Sequence, residues 1–183
     1  MVPWDRDRFK VLEEKVTATL EGKRPTIDVP FYVYLYDPVE ETLALERFTN
    51  LVRRLRTRNY SADTIWLSEM MVEVLERLKF LDPKGVKLEQ EDRDTVKEDL
   101  ERVLPEELAS RLKERLKGRD VDHCAVLLRC GSLFPFAHVS SLLFKLTGSV
   151  NCTLVIPYPG NKEGRMLHEK GESVRNYYRA EII

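Results

Sequence analysis

Glutamine occurs once in this chain, at Gln90, and cysteine three times, at Cys124, Cys130 and Cys152. So small and odd a cysteine count, with no CxxC spacing, excludes a disulfide framework and a zinc-ribbon pattern. Each cysteine sits in apolar, strand-like surroundings, as expected of reduced, buried thiols in a cytosolic protein. No apolar run approaches the roughly 20 residues needed to cross a bilayer. The opening MVPWDRDRFK is too polar for a secretory leader. A soluble, cytoplasmic protein is the expectation. Net charge is −1 over 183 residues, so no global field draws the chain to nucleic acid or lipid.

Signatures of common chemistries are missing as well. No GxxxxGK phosphate loop is present, and no GxSxG elbow surrounds any serine. No HxxxH or HExxH places two imidazoles on one helix face. His123 directly precedes Cys124, so in a strand the two side chains point to opposite faces. No metal and no cofactor are expected.

What is present is charge and alternation. Charged residues make up 33% of the chain, a bias that resembles a thermophile surface rich in ion pairs. The length suffices for an apolar core without staples. Phe9, Leu12, Val16 and Leu20 recur at helical spacing. Pro25 and Pro30 mark a linker, and FYVYLYD at 31–37 is strongly β-prone. Leu45, Phe48, Leu51, Val52 and Leu55 form the next helical stripe. A strand at 63–67 follows, then a helix capped by Ser68 with Met71, Val74, Leu75 and Leu78 inward. Residues 84–120 are crowded with charge, and Pro105 is expected to break or restart their helical pattern. This stretch reads as a helical insertion, a hairpin or lid, within one domain spanning 1–183.

The last third is the most informative. CAVLLR at 124–129 reads as a strand, 130–146 as a turn and helix, CTLVIPYPG as a second strand, and NYYRAEII at 176–183 as a third. Strands alternating with helices predict an α/β fold with a mostly parallel open sheet of about five strands, flanked by helices. It is Rossmann-like or NTPase-like, without a phosphate loop. The final strand could run either way. Such sheets place working groups at their strands' carboxyl ends, here 129–135 and 157–164.

Each candidate has a plain alternative. Asp37-Pro38-Val39-Glu40 could hold a catalytic acid, but it is also a capping box. Gly160 to Arg165 could form an anion nest with Lys162 and Arg165, or simply a turn shaped by Pro159 and Gly160. Ser132 could cap the following helix, with Pro135 in its first turn. His138 could serve as base or ligand, or as a half-buried polar side chain with a backbone partner. Arg53, Arg54, Arg56 and Arg58, followed by Tyr60, could grip nucleic acid, or answer a helix C-terminus. In the last strand Tyr178 shares a face with Ala180 and Ile182, while Arg179 faces the other way with Tyr177 and Glu181.

In order, FYVYLYDPVE, LFPFAHVSSLL, IPYPG and NYYRAEII are similar to one family. The chain resembles BrxB, a small component of the BREX bacteriophage-exclusion systems, over residues 31–60 and 123–183. The family pattern often has arginine before the Val-Ser pair, where this chain carries His138. The resemblance implies a non-enzymatic adaptor or structural subunit in antiviral defence. It would act beside the PglZ phosphatase-like protein, the BrxC ATPase and the PglX DNA methyltransferase. Two readings from the residues stay beside it. One is a nucleotide- or phosphate-binding domain on a degenerate NTPase-like sheet. The other is a DNA-contacting accessory subunit.

Overall fold

The structure, a computed structural model, describes residues 4–23, 30–160 and 180–183. Among the described residues five strands form one all-parallel sheet: β1 (Phe31–Tyr36), β2 (Ser61–Trp66), β3 (His123–Leu128), β4 (Thr153–Pro159) and β5 (Glu181–Ile182). Their order across the sheet is β2-β3-β4-β1-β5. Among the described residues six α-helices flank it: α1 (Arg6–Leu20), α2 (Glu41–Thr57), α3 (Leu67–Arg77), α4 (Pro83–Glu91), α5 (Arg93–Arg115) and α6 (Val139–Leu146). The predicted α/β class with a parallel sheet is what the chain adopts.

Strand β1 lies between β4 and β5, and helices cover both of its faces. Its alternation sends Phe31, Val33 and Leu35 into one core and Tyr32, Tyr34 and Tyr36 into the other. The first core is closed by α3, α5 and α6, and the second by α1 and α2. Phe48 of α2 is wholly buried there and meets Phe9 edge-on, with ring centroids 5.2 Å apart. Burying such a side chain contributes about 2 kcal/mol. The predicted stripes of α1 and α6 are buried as expected, and that of α2 shifts only by exchanging Leu45 for Ala44.

Two local expectations need correction. Ser68 does not cap α3: the extended Trp66 passes directly into a helix that starts at Leu67, leaving no linker for a capping side chain. Pro105 does not interrupt α5, which runs unbroken through it. A proline costs an interior helix about 3 kcal/mol. Burial of Leu100, Leu104, Leu108 and Leu112 along the same helix outweighs that. The break falls at Asp92 instead, whose backbone is non-helical and whose carboxylate accepts from the Thr95 N–H at 3.2 Å.

The final strand runs parallel to β1, pairing Tyr32 with Glu181 and Val33 with Ile182. Residues 176–179 of the expected strand lie outside the described residues. The segment 84–120 supplies α4 and α5, and α5's C-terminal half sits in the first core through Leu104, Leu108, Ala109 and Leu112.

Candidate functional site

The chain leaves β1 toward β2 at one edge of the sheet and leaves β4 toward β5 at the other. Adjacent carboxyl ends with diverging exits mark the crevice where open α/β sheets hold ligands. Here the exits of the strands bond to one another. The Gly160 N–H donates to the Tyr36 carbonyl at 2.8 Å. A Cβ on Gly131 would stand 3.3 Å from the Pro159 ring, so the β3 and β4 exits are nearly in contact. The Glu41 carboxylate, at the start of α2, accepts from the Tyr36 hydroxyl and from Arg129 Nη1 at 3.2 Å. Burial and that carboxylate together push the Tyr36 phenol upward.

Arg129 adopts left-handed backbone, φ 62° and ψ 40°, and Ser132 Oγ donates to its carbonyl at 2.7 Å. Non-glycine residues rarely hold that conformation, and such positions gather at functional sites. Asp37 caps its 3-10 turn by accepting from the Val39 N–H at 3.0 Å, with Pro38 next, but no return bond from Glu40 completes the capping box among the described residues. Asp37, Glu40 and Glu41 therefore crowd the first turn after β1. In a phosphate-binding sheet an anion would sit against these backbone N–H groups. Three carboxylates there oppose a phosphate.

The structure thus brings Ser132, Pro159 and Gly160 to one sheet edge. It adds Tyr36 and Glu41, which the sequence did not single out, and Arg129, which the sequence marked only as the start of the 129–135 strand end. The signal available was Arg129, a cation at the exit of a predicted strand. Lys162, Arg165, Tyr178 and Arg179 lie outside the described residues. Pro135 and His138 leave this crevice. Ser132 does not cap α6, and Pro135 is not in its first turn, because α6 begins at Val139 with His138 in the N-cap position. The Ser132 hydroxyl is spent on Arg129, and Phe134, preceding a proline, is held extended, so no helix can pass through it. His138 makes no side-chain cap bond.

Pro135, joined to Phe134 by a cis peptide, borders an apolar groove of about 500 Å³ with Phe136. Leu75 and Phe80 form one wall, Val86 of α4 the second, and Val96 and Leu100 of α5 the third. Beside it Leu81, Val86 and Leu88 are exposed, and so is Phe134, at 72%. Soluble surfaces rarely keep contiguous apolar ground uncovered without a use.

The arginine cluster is largely engaged. Arg54 grips Glu13 with two bonds, at 3.1 and 2.8 Å, and Arg58 stands 3.8 Å from the same side chain. Arg56 donates to the Ala62 carbonyl at 2.7 Å and to Asp63 at 3.0 Å. Among the described residues no group of three His, Cys, Asp or Glu side chains could hold a metal ion. Among them, too, no helix is long and apolar enough to cross a membrane.

Comparison with known proteins agrees with the sequence pattern. The family model described as BREX protein BrxB matches residues 63–183. A BREX protein BrxB of Bacillus cereus is 28% identical over 185 residues, covering 95% of this chain and 94% of that protein. No solved structure matches. The family match takes in more than half of the chain, and the chain belongs to the BrxB family of BREX proteins.

Proposed function

We propose that this chain is a non-enzymatic adaptor of a BREX phage-defence complex, acting in the cytoplasm by docking onto other components of the system. The observation that carries the reading is the apolar groove between α3, α4 and α5, bordered by Pro135 and Phe136. An amphipathic helix or extended apolar segment of a partner fits such a groove, reading it by side chains on one face. The cross-bonded strand exits at the sheet's carboxyl edge support the same reading. Their polar groups already answer one another, and their acids oppose the phosphate a nucleotide would bring.

Among the partners the PglZ phosphatase-like protein stands first, with the BrxC ATPase and the PglX methyltransferase after it. The tagged full-length chain would be offered each purified component in turn. Retention of PglZ, lost when Leu81→Asp and Val86→Asp are combined, is the expected outcome. Both positions are exposed, so the variant should keep its melting temperature within a few degrees. Failure of the unaltered chain to retain any component would overturn the adaptor reading.

A further inference from the structure

The opposite edge of the sheet carries a second, polar cavity. Helices α5 and α6 both end there, and the turns that follow them enclose a space of about 300 Å³. Lys113, Lys117 and Arg119 contribute from one side, and Ser149 and Asn151 from the other. Lys113 and Lys117 have no ion-pair partner among the described residues, and Asp120 is the one acid in the lining. Arg119 forms an ion pair with Asp63 at 3.7 Å. That carboxylate is shared with Arg56, which donates to its other oxygen at 3.0 Å.

Cations at a helix C-terminus ordinarily answer its dipole, and that explanation can be weighed. Each helix end presents roughly half a negative charge. Two ends, Asp120 and Asp63 together offset about three of the four cations Lys113, Lys117, Arg119 and Arg56. One positive charge stays unanswered, in a concave site with neutral donors beside it. The near-zero net charge of the chain hides this separation, because Asp37, Glu40 and Glu41 lie at the other edge of the sheet. The basic ground also extends past the cavity. Arg56 from α2 and Arg119 after α5 meet at Asp63 from the two faces of the sheet.

We infer that this cavity is a phosphate-binding site, with Lys113, Lys117 and Arg119 supplying charge and Ser149 and Asn151 supplying neutral hydrogen bonds. Its volume exceeds a lone phosphate and suits a sugar-phosphate unit. Phosphate of that kind comes either as a free nucleotide or in a nucleic-acid backbone, and the test separates the two. The site is independent of the apolar groove.

The full-length chain, labelled with 15N, would be titrated with inorganic phosphate, with a nucleoside monophosphate and with a short DNA duplex. Saturable shifts of the amides at 117–119 and 149–151 are expected. Lys113→Glu with Lys117→Glu should weaken binding by about tenfold or more. With the duplex it should also reduce the salt slope by about 2, since each phosphate contact contributes roughly 0.9. Arg6→Glu with Lys10→Glu, the same charge change on exposed α1 positions, should alter affinity less than about twofold. The milder Asn151→Asp, in an exposed turn, guards against misfolding of the double variant and should weaken binding in the same direction. Binding of the monophosphate alone would name a nucleotide as the source, and binding of the duplex a nucleic-acid backbone. No saturable shift with any probe, or equal losses in the α5 and α1 variants, would overturn the inference.

Discussion

The guanidinium of Arg8 donates to the carbonyl oxygen of Ile183 at 2.6 Å, tying the first helix to the end of the last described segment. The same Nη2 donates to the Leu35 carbonyl at 3.1 Å, and the group lies 4.9 Å from the Tyr34 ring centre. One side chain thus holds α1, β1 and the residue after β5 together. Arg8→Ala should destabilise the fold by about 2 kcal/mol, the range for hydrogen bonds made by a charged group. Arg8→Lys should recover only part, lacking the planar fork. Urea unfolding of the two variants checks this, and an unchanged midpoint in Arg8→Ala would refute it.

Gly85 stands in the first turn of α4, where a Cβ would lie 2.5 Å from the Lys79 carbonyl oxygen and 2.6 Å from that of Phe80. Those atoms are backbone and cannot swing aside. Gly→Ala within a helix ordinarily gains up to about 1 kcal/mol. Here Gly85→Ala should instead destabilise, by about 1–3 kcal/mol, the range for overpacking. Because α4 forms one wall of the apolar groove, the same variant should weaken retention of the partner protein. Thermal melts together with the pull-down would show both effects.

His123 is buried at the start of β3, with Nδ1 2.7 Å from Ser61 Oγ and Nε2 3.4 Å from Asp63. Burial holds the imidazole below its ordinary value of 6.5, an effect that outweighs the pull of Asp63 and is aided by Arg119 and Arg56. The folded chain therefore binds this proton less readily than the unfolded chain. Stability should be complete above pH 6.5 and should decline as the pH falls toward the lower folded value. His123→Gln should flatten that decline. Urea midpoints at a series of pH values supply the comparison, and an unchanged slope in the variant would count against His123 as its source.

All three cysteines are free and buried. Burial pushes the thiols of Cys124 and Cys130 upward, and that of Cys152 up to about 12. Only the thiolate reacts, so the native protein should be inert to a thiol reagent at neutral pH. The three thiols should titrate together once denaturant is added. A group that reacts in the native state would show that its strand opens locally.

The sequence by itself determined the elements and the class of sheet. FYVYLYD and CAVLLR are short, apolar on both faces and separated by helical stripes, and only a parallel sheet covered by helices on both sides satisfies that pattern. The stripe Val139, Leu142, Leu143 and Leu146 located α6 because its period is local. The signals that misled were local as well. Pro105 reads as a breaker because a sequence does not show how many leucines its helix will bury. Ser132 reads as a cap because nothing adjacent reveals that its hydroxyl turns back to the Arg129 carbonyl.

Only the tertiary structure decided which distant residues meet. Strand order sets β1 beside β4, and this carries Glu41 to Arg129 across 88 positions. The same order gathers the C-termini of α5 and α6 at the opposite edge, where Lys113, Lys117 and Arg119 share a cavity with Ser149 and Asn151. Hydrophobic period is written along the chain, whereas crossovers between strands are chosen by burial of the whole. Sites built from several crossovers are therefore legible only once the sheet has closed.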